Sequence, residues 1–86
     1  MLTFPNPSRS YAATTDRISF WGHDGTKEVP FFLQASALFR LFPRTAYTES
    51  AILDAFDSGL QRIHEIAGKA YSRAQRHFYV LGTENL

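Results

Sequence analysis

The clearest pattern in the chain is an alternation of apolar and polar residues on both sides of a turn signal. The tetrapeptide His23-Asp24-Gly25-Thr26 separates the two segments, and Asp-Gly is favoured in tight turns because both residues tolerate a positive φ. The pattern predicts a β-hairpin over residues 17–33. One face of this hairpin carries the residues Ile18, Phe20, Val29, Phe31 and Leu33.

The other face of the predicted hairpin is also apolar, with Trp21, Pro30 and Phe32. Because Pro30 lacks an N–H, we expect its nitrogen to face a sheet edge or an irregularity. Two interpretations stay open for this face. Either the N-terminal segment folds over it, or it is a surface for self-association or for a partner.

Residues 1–9 are predicted to form an extended N-terminal arm, since Pro5 and Pro7 disfavour a helix. Leu2 and Phe4 are candidate anchors for this arm. A short strand is expected within residues 10–15.

The second half of the chain shows helical periodicity. A short helix is predicted at 35–42, and Pro43 ends it. A long amphipathic helix is predicted at 48–75, with Thr48 as its N-cap. Such a helix would be ~40 Å long, about twice the length of a six-residue strand. We therefore expect it either to bend at a glycine, Gly59 or Gly68, or to overhang the sheet.

A final strand is predicted at 77–81, which completes a small antiparallel sheet made of the hairpin and this strand. The predicted fold class is α+β, with two layers, in which the sheet packs against one long and one short helix. The expected core consists of Ile18, Phe20, Val29, Phe31, Leu33, Leu38, Leu41, Phe56, Leu60, Ile63, Ala67 and Val80.

Composition narrows the function classes. The chain has 86 residues, which predicts a single domain over 1–86, and eight Phe, four Tyr and one Trp supply bulk for a core. It contains no Cys, which excludes disulfides and thiolate metal sites. No apolar stretch approaches the ~18 residues of a membrane span, and the N-terminal residues do not resemble a signal peptide. We expect a cytoplasmic protein with no membrane association.

No residue pattern indicates catalysis or a cofactor. His23, His64 and His77 lack the spacing of a zinc site, and Asp54 with Asp57 is more simply explained as a solvated helix face. There is no nucleophile elbow and no phosphate-binding loop. The sequence predicts a protein that is not an enzyme and that uses neither a metal nor a cofactor.

A basic group near the end of the long helix, Lys69, Arg73 and Arg76, is the one feature that suggests nucleic acid. The formal net charge of +1 argues against a dedicated nucleic-acid binder. A helix end that complements its own dipole also explains these residues.

Several segments together resemble a known family of bacterial proteins. They are Phe4-Pro5-Asn6-Pro7-Ser8-Arg9-Ser10-Tyr11, Ile18 to Gly25, Glu28 to Phe32, Ala35 to Leu38, Ala55-Phe56-Asp57, Arg62-Ile63-His64, Ala67 and Tyr71. The chain resembles domain of unknown function 1488 over nearly its whole length. The resemblance implies a compact two-layer α+β domain, and it implies no activity, cofactor or catalytic residue.

The leading hypothesis is therefore a small non-catalytic interaction or accessory protein that self-associates as a dimer through Trp21, Pro30 and Phe32. An unknown protein partner is a further possibility for this surface. The alternative is a small regulator that binds nucleic acid through Lys69, Arg73 and Arg76.

Overall fold

A computed structural model describes all 86 residues and confirms the α+β class with a sheet and a helical layer. The strands are β1 (Leu2–Thr3), β2 (Arg9–Ala12), β3 (Arg17–Asp24), β4 (Lys27–Gln34) and β5 (Tyr79–Leu81). The helices are α1 (Ala35–Leu41), α2 (Glu49–Ser58) and α3 (Leu60–Arg73), followed after β5 by a single 3₁₀ turn at Thr83–Asn85. No helix is long and apolar enough to cross a membrane.

The predicted hairpin is confirmed as β3 and β4, with a two-residue turn. Asp24 pairs with Lys27, so the turn residues are Gly25 and Thr26, one position later than the Asp-Gly pair suggested. Gly25 has a φ of 65°, a conformation that glycine adopts without steric cost. A positive φ at the first turn residue alone is the pattern of a type II′ turn.

The direction of the last strand differs from the prediction. β5 pairs with β4 in parallel, with Phe31 opposite Tyr79 and Leu33 opposite Leu81. The reason is the connection, because α1, α2 and α3 lie between the two strands and return the chain to the end of the sheet where β4 began. The sheet therefore contains both parallel and antiparallel pairs. The last strand, β5, covers 79–81 instead of the predicted 77–81.

Pro30 sits in β4 without loss of a ladder hydrogen bond. Counted from the two-residue turn, its pair with Trp21 falls at a non-hydrogen-bonded position of the antiparallel ladder. Its nitrogen therefore faces away from β3. The pairing with β5 begins only at Phe31, which confirms the expectation that the Pro30 nitrogen meets an unpaired stretch.

The predicted long helix is interrupted at Gly59, which separates α2 from α3. A Cβ at this position would lie 2.6 Å from a ring carbon of Phe42, so only glycine lets the α1–α2 connection approach this closely. The Thr48 side chain accepts a hydrogen bond from the Ala51 N–H and caps α2 as expected. Both helices contribute to the core, with Ile52 and Phe56 from α2 and Ile63, Ile66 and Ala67 from α3.

Most of the predicted core is buried, with three exceptions. Leu41 is only partly buried, and Leu60 is 37 % exposed because buried Gly59 takes the core-facing position of that turn. Val80 is also only partly buried, since the alternation of β5 places Tyr79 and Leu81 in the core instead. The buried apolar residues that the prediction omitted are Ala35, Ala37, Ile52, Ile66, Tyr79 and Leu81.

The N-terminal arm is held at the edge of the sheet. β1 and β2 both pair antiparallel with β3, at its end and at its start, and residues 4–8 arch between them. The Ser8 N–H donates to the Asn6 side chain at 3.0 Å, a local turn that suits the two prolines of the arch. The short strand expected within 10–15 is β2, which begins at Arg9.

Candidate interaction surface

The sheet has one face turned away from the helices, and the three predicted surface residues lie on it together. Trp21 pairs with Pro30, and Phe32 pairs with Val80 of β5. Because alternate residues of a strand share a face, these four side chains form one continuous patch, and all four are only partly buried. We call Trp21, Pro30, Phe32 and Val80 the open sheet patch.

Two further side chains extend this patch. Phe78 is 53 % exposed and meets the Phe32 ring edge-on, with ring centroids 6.0 Å apart and an interplanar angle of 80°. The Arg17 guanidinium lies 5.9 Å from the Phe32 ring centroid, within the range of a cation–π contact. Phe32 therefore contacts one aromatic ring and one cation on this face.

Phe4, the anchor of the N-terminal arm, does not lie on the open sheet patch, although Asn6 to Arg9 of the arm line a cleft together with Trp21. The Phe4 ring packs on the helical side of the sheet, 6.2 Å from Phe20 and 6.0 Å from Phe31 between centroids. It also stacks on His64 at 3.8 Å. Phe4 is partly buried and packs against the core, which holds the arm at the edge of the sheet.

Opposite charges mark the two ends of the same face. Arg17 lies at one end, opposite Gln34, and Glu28 lies at the other end, opposite His23. Six residues separate Arg17 from His23 along β3, which corresponds to about 20 Å. The face therefore has an apolar centre, one cation at one end and one anion at the other.

The structure places the predicted basic group at the end of α3 and in the connection to β5. Lys69, Arg73 and Arg76 are all exposed. Arg73 and Arg76 line one cleft beside β5, whereas Lys69 lies outside it. Lys69 and Arg73 lie four positions apart on α3 and are therefore neighbours on the helix surface.

The histidines and the pair Asp54 and Asp57, which the sequence offered as candidate chemical groups, do not form one site. His77 is exposed, and His64 is partly buried under Phe4, where burial lowers its pKa. Asp57 accepts two hydrogen bonds from the Arg9 guanidinium, at 2.9 and 2.8 Å, so it pairs with the arm and not with Asp54. No three histidine, aspartate or glutamate side chains come together in a way that could hold a metal ion.

Three hydrogen bonds from tyrosine to aspartate are not predicted by the sequence pattern. Asp16, which has a φ of 55°, accepts hydrogen bonds from Tyr11 at 2.5 Å and from Tyr47, and it raises the pKa of both phenols. Tyr71 of α3 donates to Asp24 at 2.5 Å and holds the pKa of that carboxyl below its usual value. These contacts tie both ends of β3 to the helical layer. They join residues up to 47 positions apart, so no local sequence pattern predicts them.

The model of the family described as "Protein of unknown function (DUF1488)" matches residues 2–81. This range runs from β1 through β5. The chain belongs to the DUF1488 family. This match confirms the resemblance carried by the hairpin and helix segments, and the DUF1488 region includes the whole sheet and all three helices. No curated protein and no solved structure matches the chain. The function of this DUF1488 domain is therefore argued from its surfaces.

Proposed function

We propose that this DUF1488 domain is a non-catalytic interaction protein of the cytoplasm that self-associates as a dimer through the open sheet patch. The observation that carries the proposal is a sheet with only one covered face. The second face presents Trp21, Pro30, Phe32 and Val80 side by side, and the Phe4 anchor of the N-terminal arm packs on the opposite face.

The composition of the patch favours a protein interface. Tryptophan and other aromatic side chains are enriched among the residues that dominate binding energy, and they cluster near the centre of an interface. Contiguous apolar surface with a polar rim is typical of a binding site. A second sheet packing at about 10 Å would remove these side chains from water.

The charges at the two ends of the face favour a second copy as the occupant. In a symmetric dimer the same surface meets itself. A two-fold axis that lies between the stacked sheets and runs across the strands would bring Arg17 of each copy to Glu28 of the other. The apolar centres would then meet, and each end of the interface would join a cation to an anion.

The proposal predicts that the chain has twice its monomer mass in solution and that patch substitutions halve this mass. Light scattering after size exclusion measures it for the wild type, for Trp21→Ser and for Phe32→Ser. We expect each substitution to weaken the dimer by about 30-fold, the effect of a central aromatic residue in an interface.

Leu60→Ser provides the matched control, because Leu60 is an exposed apolar residue on the helical side of the sheet. It should leave the mass unchanged, and circular dichroism should show that all three variants stay folded. A wild-type chain that is monomeric at high concentration would refute the proposal. So would folded patch variants whose mass equals that of the wild type.

A further inference from the structure

A cleft beside the last strand is a second surface, which adjoins the open sheet patch and shares Val80 and Phe78 with it. β5 pairs only with β4, so its other side is an edge of the sheet. A strand at an edge leaves backbone N–H and C=O groups without partners, and these groups are able to pair with another extended chain. β5 is therefore open to the addition of one more strand.

The space next to this edge has the dimensions and walls of a peptide groove. A cleft of about 590 Å³ runs along β5 and is bounded by Ala70, Arg73 and Ala74 at the end of α3 and by Glu84 of the 3₁₀ turn. We call it the edge cleft. Its helical wall carries two alanines, whose small side chains leave room for an extended backbone between helix and strand.

The edge cleft is also cationic. Arg73 and Arg76 line it, against one acidic residue, Glu84. Neither Arg73 nor Arg76 has an ion-pair partner within the chain. Their guanidinium groups are therefore free to bind carboxylates from outside.

The connection that carries Arg76 is fixed in place. The buried Tyr79 side chain accepts a hydrogen bond from the Arg76 N–H at 3.0 Å and donates one to the Ala74 carbonyl at 2.5 Å. Both bonds hold the turn between α3 and β5 against the core. A basic residue on an ordered turn loses less conformational entropy on binding than one on a free loop.

We propose that the edge cleft binds an extended acidic segment of a partner protein, which adds to β5 as a strand and pairs its carboxylates with Arg73 and Arg76. Main-chain pairing would supply affinity, and the two cations would select an acidic sequence. A peptide fits better than single-stranded nucleic acid for two reasons. The sheet edge offers backbone hydrogen bonds, and the exposed Phe78 ring already packs against Phe32 instead of offering a free stacking platform.

The test uses the full chain and a pool of short fluorescent peptides in which Glu alternates with random apolar residues. Binding is measured by fluorescence anisotropy at low salt. We expect the wild type to bind this pool, and the variant Arg73→Gln with Arg76→Gln to bind it about tenfold more weakly. Lys69→Gln is the matched control, since Lys69 is an exposed cation on the same helix outside the cleft, and it should bind like the wild type.

Two changes in the probe separate backbone pairing from simple charge attraction. A pool with Gln in place of Glu should bind weakly, because it has no carboxylates. A pool with methylated backbone nitrogens keeps its carboxylates but lacks N–H donors, and it should also bind weakly. Equal binding of the methylated pool, or no binding of the acidic pool, would overturn the proposal.

The remaining outcomes identify other occupants and also overturn the proposal. A short single-stranded oligothymidylate could instead bind more tightly than the peptides. If Lys69→Gln weakened this binding as much as Arg73→Gln, the occupant would be nucleic acid. A change in the mass of the chain alone on substitution of Arg73 and Arg76 would indicate a second copy in the cleft. Trp21→Ser should keep peptide binding, so failure of the dimer and failure of the edge cleft are distinguishable.

Discussion

His64 is a residue whose surroundings set its charge. Its ring lies against Phe4 at 3.8 Å with an interplanar angle of 6°, and the side chain is partly buried, which lowers its pKa. A histidine with a lowered pKa is neutral in the folded protein under conditions in which the unfolded chain already binds a proton. The partly buried site of His64 beneath Phe4 therefore favours the neutral ring.

This environment predicts that His64 destabilises the fold as the pH falls. Below the ordinary histidine pKa of about 6.5, His64 is protonated in the unfolded state but still neutral in the folded state. The free energy of unfolding therefore decreases as the pH falls, until the pH passes the pKa of the folded state. His64→Phe keeps the stacked ring and removes the proton site. Urea denaturation between about pH 7 and pH 5 should show a smaller loss of stability for this variant than for the wild type.

His77→Gln is the control for the same measurement, because His77 is exposed. It should follow the wild-type pH dependence. A His64→Phe variant that loses as much stability as the wild type over this range would contradict the prediction.

At the scale of the element, the helical layer depends on a glycine at one position and tolerates replacement at another. A Cβ at Gly59 would lie 2.6 Å from the Phe42 ring, whereas a Cβ at Gly68 meets nothing within 4 Å. Both residues lie in the segment that the periodicity predicted as one helix. The same substitution should therefore have opposite effects at the two sites.

Gly68→Ala should stabilise the protein by about 0.5–1 kcal/mol, since alanine is the better helix former. Gly59→Ala should destabilise it by about 1 kcal/mol or more, because the Phe42 ring must move. Urea denaturation measures both changes. In a Phe42→Ala background the Gly59→Ala substitution should no longer destabilise, and an unchanged effect there would show that the ring contact is not the cause.

The elements that the sequence predicted correctly are those in which apolar residues recur with a clear period of two or of three to four positions. The hairpin has apolar residues at every second position on its core face, and the turn glycine fixes its register. The last strand has no such alternation, since Phe78 and Val80 are as apolar as Tyr79 and Leu81, so the sequence does not show which pair faces the core. The parallel direction of β5, the side taken by Phe4 and the role of Gly59 all depend on contacts between distant residues. Trp21, Pro30 and Phe32 could be identified because they follow the hairpin's own alternation.

At the scale of the whole molecule, the proposed dimer makes a prediction about charge. If a two-fold axis brings Arg17 of one copy to Glu28 of the other, reversing either charge places like charges together at both ends of the interface. Arg17→Glu alone and Glu28→Arg alone should each weaken the dimer by a few-fold, as exposed ion pairs contribute about 0.2–1 kcal/mol. The double variant restores the opposite charges and should recover the wild-type affinity.

Sedimentation at several protein concentrations measures these affinities, and added salt should reduce the differences. A double variant that is weaker than both single variants would show that Arg17 and Glu28 do not meet. The dimer could then form only in another orientation.

The parallel pairing of β5 with β4 has a consequence for synthesis of the chain. Phe31 and Leu33 of β4 acquire their β5 neighbours only from residues 79–81, so the nascent chain emerges from the ribosome with one side of its central hairpin unprotected. The hairpin and α1 form from sequence neighbours, whereas the sheet is complete only after all three helices have been made. During translation, the strand edge that β5 later protects is the part of the molecule most open to misassembly and to capture by a chaperone.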